Sequence, residues 1–264
     1  MTGPPSPTVL AVFAHPDDES LACGGTLARL SDLGARVVLL CASRGERGSG
    51  AGPELDDSLG RDRARELTSA AGILGISDVL QLDHPDGDLR WAHVAELHAH
   101  IVMAIQHYRP AAIVTFGDDG LYWHQDHIGV YERTFTAVRS VGAAGPALYH
   151  VTMPPDAVRG VEDLASSRGW VRPAHGLWSL VPDAFGEAAK PPTLAVVVND
   201  WVPRKLDAIR CHRSQEGMGH PFEKITGEEA RRWLGVEHFH RGAVGSCNRT
   251  IMEEISESGN RVTG

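Results

Sequence analysis

The sequence predicts an α/β protein, a three-layer sandwich with a mostly parallel sheet between two layers of helices. Three observations predict it. Short apolar, β-rich segments alternate with segments of helical period through the first 145 residues. Each apolar segment is hydrophobic along its length, as strands buried on both faces are. No Pro/Gly/Ser linker divides the 264-residue chain, so one domain over 1–264 is expected. Such alternation builds βαβ units with right-handed crossovers, which gives a Rossmann-like arrangement.

The elements follow in order. TVLAVFA (8–14) is a buried strand, and ESLACGGTLARLSDLG (19–34) a helix closed by glycine. ARVVLLCAS (35–43) is a second strand. A Gly-rich loop (44–54) leads to a helix over 57–75, with Asp57 or Ser58 as its N-cap. DVLQL (78–82) is a third strand, and a loop (83–89) precedes a helix over 91–109, stopped by Pro110. AAIVTFG (111–117) is the fourth strand, and another helix opens near His124. Beyond residue 145 the pattern loosens. PALYHVTMP (146–154) and TLAVVVND (193–200) read as strands, and 202–215 as a helix with Pro203 in its first turn. The stretch 156–192 is rich in Pro, Gly and Trp and forms an excursion that can wall a site. The tail 255–264 is polar.

Composition narrows the function. A formal net charge of -9 with scattered basic residues argues against nucleic acid or an anionic membrane as partner. No run approaches the roughly 18–20 apolar residues of a membrane span, and the N-terminal apolar run is short for a signal peptide. A cytoplasmic location is expected. Cys23, Cys41, Cys211 and Cys247 form no CxxC pair and read as small buried hydrophobes. Fourteen histidines is a high count, so spacing must decide which of them matter.

The first strand runs straight into His15, Pro16, Asp17, Asp18 and Glu19. Three adjacent carboxylates repel one another unless something positive sits among them. His15 and Asp18 can each ligate a divalent metal, and i,i+3 spacing brings them to one side of a turn. After the fourth strand comes HQDH, with His124 and His127 again three apart. One or both can complete a His/Asp/His set with an open position, as catalytic zinc sites have. Each cluster alone has an ordinary explanation: an acidic loop at a helix N-terminus, or a surface helix start. Their joint occurrence beyond two strand ends that should share a rim favours a metal site, since α/β sheets bind ligands there.

These residues resemble the LmbE-like (PIG-L-type) family of metal-dependent N-deacetylases. AHPDDE and the distant HxDH carry the resemblance most specifically. SRGERG, RARELTSAAGILG, PDGDL and CHRSQ resemble further family motifs in the same order. HQDH departs from the commoner H-P-D-H at Gln125. The resemblance implies an LmbE-like fold and one divalent ion, zinc or ferrous iron, held by His15, Asp18 and His127. It implies Asp17 as general base, His124 as a group that polarises or protonates, and Tyr122 as an oxyanion partner. Asp126 is expected to orient a neighbour. Glu46, Arg63, Asp86 and His212 are expected near the rim as substrate contacts. Their alternatives are a loop charge, a helix salt bridge with Glu66, a turn-forming aspartate and a helix-end histidine. Trp123 is a further stacking candidate, whereas Trp170 and Trp178 read as core or wall. His220, His238 and His240 read as structural.

The implied activity is hydrolysis of an N-acetyl or short N-acyl group from an amino sugar or a small amino-sugar glycoside, a small-molecule substrate. An amidase acting on a larger thiol conjugate is the rival within the class. A sugar-nucleotide module is the rival outside it, but no GxGxxG or Walker loop follows the first strand. A metal-binding protein without catalysis has no need of Asp17 and His124.

Overall fold

A computed structural model describes residues 6–48, 58–142, 144–154, 157–170, 190–215 and 225–246. The expectations for 49–57, for His220, Trp178 and Cys247, for the tail, and for most of 156–192 lie outside the described residues.

Among the described residues, seven strands form one sheet: β1 (Thr8–Phe13), β2 (Arg36–Cys41), β3 (Asp78–Gln81), β4 (Ala112–Thr115), β5 (Ala147–Thr152), β6 (Leu194–Val197) and β7 (Val236–Arg241), in the order β3-β2-β1-β4-β5-β7-β6. The first five are mutually parallel, and β7 runs antiparallel between β5 and β6. Residues Val9–Phe13 and Val37–Cys41 are essentially inaccessible. Continuous apolar runs therefore form the central strands, because helices cover both faces. Those helices are α1 (Asp18–Asp32), α2 (Ser58–Leu74), α3 (Val94–Tyr108), α4 (the single turn Gly120–Trp123), α5 (Gln125–Val141), α6 (Ala157–Ser167), α7 (Val202–Ile209) and α8 (Gly227–Leu234). Cys23 and Cys41 are buried and Cys211 is half-buried, all three as free thiols. No described helix is long and apolar enough to cross a membrane.

Three local features differ from expectation. The helix expected from residue 91 begins at Val94, because the Trp91 and Ala92 N–H groups instead close a turn on the Asp88 carbonyl. The helix expected over 202–215 ends at Ile209. The helix α1 is broken at Cys23 (φ -150°, ψ 24°). The break leaves N–H groups inside the protein, and Glu237 of β7 takes them. Its carboxylate accepts from Gly25 (2.9 Å) and Thr26 (2.6 Å) and pairs with Lys205 Nζ at 2.6 Å. Both members of that pair are buried. Losing one would strand the other charge, at a typical cost of ~3–5 kcal/mol. At Gly25 a Cβ would stand 2.7 Å from Val198, so only glycine lets the kinked helix lie this close to the strand end.

Candidate active site

The sheet order reverses between β1 and β4, which opens a crevice beyond their carboxyl ends. His15 follows β1, and the turn 119–124 follows β4. Both stretches carry strained backbone. Asp17 sits at φ 123°, Leu121 at φ 69° and Trp123 at φ 66°. Non-glycine residues reach this region at a cost of order 1–3 kcal/mol, and such strain clusters at functional sites. It is held by local bonds. Asp18 Oδ2 accepts the His15 N–H at 2.8 Å, Glu19 Oε2 accepts the Asp17 N–H at 3.1 Å, and Asp119 Oδ1 accepts the Leu121 N–H at 3.1 Å.

Three imidazoles meet in the crevice. The ring of His127 stacks on Phe116 at 3.9 Å and on His124 at 4.5 Å, and His15 lies 5.0 Å from His124. One nitrogen from each of the three lies within 4.8 Å of the other two. Nδ1 of His127 meets the Gly120 carbonyl at 3.1 Å. A carbonyl only accepts, so Nδ1 carries a proton and Nε2 is the nitrogen left to face the crevice. That Nε2 is buried without a hydrogen-bond partner, yet stands 3.2 Å from Asp18 Oδ1. At that distance the imidazole and the carboxylate share a positive charge, either a proton on the ring or a bound cation. On the other side, Asp18 Oδ2 lies 3.4 Å from His15 Nδ1.

His15 is held from behind. Its Nε2 is 3.1 Å from both Asp86 Oδ1 and Asp126 Oδ2. Asp126 also accepts the Gly87 and Leu89 N–H groups at 2.7 and 2.9 Å. Carboxylates bonded to the far nitrogen of a ligating histidine fix its tautomer and orientation, which is the part expected of Asp126. The electrostatics follow the geometry. Burial opposes charge on His15, but Asp126, Asp18 and Asp86 raise its pKa well above the usual imidazole value. Burial would lift Asp18, but His127 and His15 hold it well below the usual carboxylate range. The cluster demands positive charge, and two imidazoles with a carboxylate are a donor set suited to zinc or ferrous iron.

Asp17 lies beside this cluster. Burial lifts its pKa to about 6, against the pull of Arg63. Burial also lifts Tyr122 well above the usual phenol value. The Tyr122 ring meets His124 and His127 edge-on at 5.7 and 5.2 Å. His124 caps α5, its Nδ1 accepting the Asp126 N–H at 3.3 Å. The proton therefore sits on Nε2 of a neutral ring. Burial, with His127 and His15 close by, pushes the His124 pKa down to about 4. Of the two roles expected for His124, polarising suits this environment and protonating does not.

The four expected substrate contacts all reach this rim, but their bonds run to protein groups. Arg63 is buried beneath the loops. Its Nη2 donates to the Pro16 carbonyl (2.5 Å) and Asp17 Oδ2 (3.1 Å), and its Nη1 to the Gly45 carbonyl (2.9 Å). It forms no salt bridge with Glu66, which instead accepts from the Ser214 N–H and hydroxyl, both at 2.7 Å. Asp86 is buried against His15, and Glu46 Oε1 accepts the Asp86 N–H at 2.8 Å. Buried His212 meets Glu19 Oε1 at 3.1 Å, directly behind the Asp17 backbone. Arg63, Asp86 and His212 thus bond to Asp17, His15 and Glu19 respectively. Half-buried Glu46 supports Asp86. Exposed Trp123 stands at the mouth. The sequence offers Glu19 only as one of three adjacent acids at a helix N-terminus, without its bonds to His212 and the Asp17 N–H. Its signal was a third consecutive acid after a buried strand, more than a helix N-terminus needs.

The described architecture is thus a Rossmann-like α/β sheet with a histidine–carboxylate cluster that could hold a metal ion at its switch point. The chain belongs to the GlcNAc-PI de-N-acetylase (PIG-L) family. That family's profile matches residues 10–138. The chain is 32% identical to a 1D-myo-inositol 2-acetamido-2-deoxy-alpha-D-glucopyranoside deacetylase of Thermobispora bispora, covering 88% of this chain and 86% of that protein. Among solved structures, it resembles the N,N'-diacetylchitobiose deacetylase of Pyrococcus horikoshii with a TM-score of 0.64 at 21% identity, covering 89% of this chain and 83% of that one. It also resembles the 4-carboxy-2-hydroxymuconate hydratase of Pseudomonas putida KT2440 with a TM-score of 0.65 at 18% identity, covering 92% and 99%. A deacetylase and a hydratase share this fold, so the fold alone does not choose the reaction.

Proposed function

We propose that this chain is a metal-dependent hydrolase that removes the N-acetyl group from a 2-acetamido-2-deoxy-glucopyranoside, a small amino-sugar glycoside, working as one domain. The observation that carries the reading is the buried face-to-face pair of His127 Nε2 and Asp18 Oδ1. Family membership and the Thermobispora relative's substrate support the choice of amide and sugar.

His15, Asp18 and His127 are the residues to hold one divalent ion, zinc or ferrous iron. Such an ion supplies Lewis acidity, which polarises an acyl carbonyl and lowers the pKa of water towards ~7. Asp17 takes the proton of the attacking water. A carboxylate lifted to about 6 is a better base than an ordinary one and is still ionised at neutral pH. Arg63 and the Glu19–His212 pair fix its carboxylate and backbone. The Nε2–H of His124 and the hydroxyl of Tyr122 stabilise the oxyanion, each typically worth ~3–4 kcal/mol when well placed. The water oxygen bonds to the acyl carbon, the C–N bond breaks, and the amine leaves with the proton that Asp17 carried. Acetate and a free amino sugar result.

Release of primary amine from a panel of N-acetylated sugars by the purified protein, loaded with Zn2+ or Fe2+, tests the reading. Turnover of the inositol glycoside in preference to free N-acetylglucosamine is expected. Equal activity in metal-free protein, verified by elemental analysis, would overturn it.

A further inference from the structure

Gln125 stands between His124 and Asp126, at the first position of α5. Proline is favoured there, because its ring fixes φ near -65° and the missing N–H has no helical partner in any case. Glutamine supplies no such restriction. Its side chain instead makes two bonds. Nε2 donates to the carbonyl of Trp123 at 3.2 Å, and Oε1 accepts from Arg90 Nη1 at 2.6 Å. Arg90 is anchored in turn. Its Nη2 donates to Glu132 Oε1 at 3.2 Å, its guanidinium lies 4.8 Å from the Trp91 ring, and its carbonyl accepts from Arg133 at 2.9 Å. The loop carrying Arg90 rests directly on α5, where a Cβ at Gly129 would stand 2.7 Å from the Arg90 Cα.

We propose that Gln125 is a positioning residue whose carboxamide, clasped by Arg90, holds the strained 121–124 backbone and so aims Tyr122 and His124 at the reacting acyl group. Trp123 is one of the two non-glycine residues at positive φ in this turn, and its carbonyl is the atom that Gln125 grips. Release of the grip lets Trp123 relax, and Tyr122 and His124 flank it in the chain. The clasp does the work that a ring at position 125 would do. His124 is already at φ -66°, ψ 123°, the extended conformation that a following proline imposes. Gln125→Pro is therefore sterically permitted.

The inference rests on the reading of His124 and Tyr122 as reacting groups. Its test has one arm that does not. In metal-free protein, hydrogen exchange over 119–124 should quicken in Gln125→Ala and Arg90→Ala, and return to the wild-type rate in Gln125→Pro. In the metal-loaded enzyme, Gln125→Ala and Arg90→Ala should each lower kcat about tenfold, since misplacing reacting groups by a fraction of an ångström has effects of this order. KM and metal content should stay near wild type. Gln125→Pro should recover kcat, and Arg90→Ala added to it should change nothing further. Unchanged exchange in Gln125→Ala would overturn the proposal, as would a full Arg90→Ala loss in the Gln125→Pro background. If exchange responds as stated while the wild type deacetylates none of the sugars, the clasp stands and the functional reading fails.

Discussion

Among the described residues, two clusters of three histidines differ in their company. His15, His124 and His127 lie in the crevice between β1 and β4, among the buried carboxylates of Asp18, Asp86 and Asp126. His84, His93 and His100 lie beside the β3 end, with ring separations of 5.3 and 6.2 Å from His84 and a His84 Nε2 to His100 Nδ1 distance of 3.1 Å. The second cluster's nearest acids are surface residues: Glu96, 3.1 Å from His93 Nδ1, and Asp83. The consequence is opposite in sign. Carboxylates overcome burial to raise His15, whereas burial, with His100 and His93 adding to it, lowers His84. A histidine count therefore does not mark a metal site. Buried carboxylates that demand a cation do.

The largest expected effect breaks this comparison directly. His127→Ala should remove bound metal and all measurable turnover, because the donor facing Asp18 is gone. His100→Ala should leave metal content at one ion per chain and activity near wild type. Elemental analysis of both variants beside amine release checks the pair. Metal loss in His100→Ala equal to that in His127→Ala would mean that the second cluster, too, binds an ion.

A smaller effect separates holding from reacting inside the first cluster. Asp17→Asn keeps size and can still accept a hydrogen bond from Arg63, but loses the basic oxygen. Metal content should persist while kcat falls ~10²–10⁴-fold, the usual contribution of one acid–base group. If Asp17→Asn empties the site as His127→Ala does, Asp17 is a ligand and the assignment of the base is wrong.

Much of this was legible in the sequence, for reasons that are local. The strands β1, β2 and β4 are covered on both faces, so each is one uninterrupted apolar run. His15 and Asp18 follow the end of β1 at Phe13 directly, His127 comes one loop and turn after β4 ends at Thr115, and the three-residue spacings show on the page. The strand β7 was not legible. Its buried Glu237 and Phe239 alternate with histidines, and six residues of mixed polarity resemble a loop. The supporting roles were hidden for another reason. Arg63 reaches Asp17 across 46 residues, His212 reaches Glu19 across 193, and Glu237 caps α1 at Gly25 across 212. Nothing in local composition distinguishes an arginine beneath a loop from one on it. The contact between Asp86 and His15 was hidden for the same reason, since the two belong to different βα loops.

The smallest effect concerns the second cluster alone. His84 is buried, its Nε2 touches His100, and the lowered pKa means that the folded protein resists placing a proton there. In the unfolded chain the same imidazole titrates near ~6.5. Above that pH both states hold His84 neutral, and it has no influence on the pH dependence. As pH falls below ~6.5 the unfolded state binds the proton first, so folding stability declines until the pH passes the lowered folded value. Replacing His84 by glutamine removes the titrating group. Thermal unfolding between pH 7.5 and 5.5 should then show a shallower fall in Tm for His84→Gln than for the wild type. The two Tm values should converge towards acid, and metal content at pH 7.5 should be unaltered. The wild-type slope also contains other buried histidines, among them His150, which burial pushes down to about 4, so the difference between the two profiles is the quantity that reports on His84. Parallel profiles would show that the second cluster accepts a proton without penalty, and the contrast in sign between the two histidine clusters would be lost.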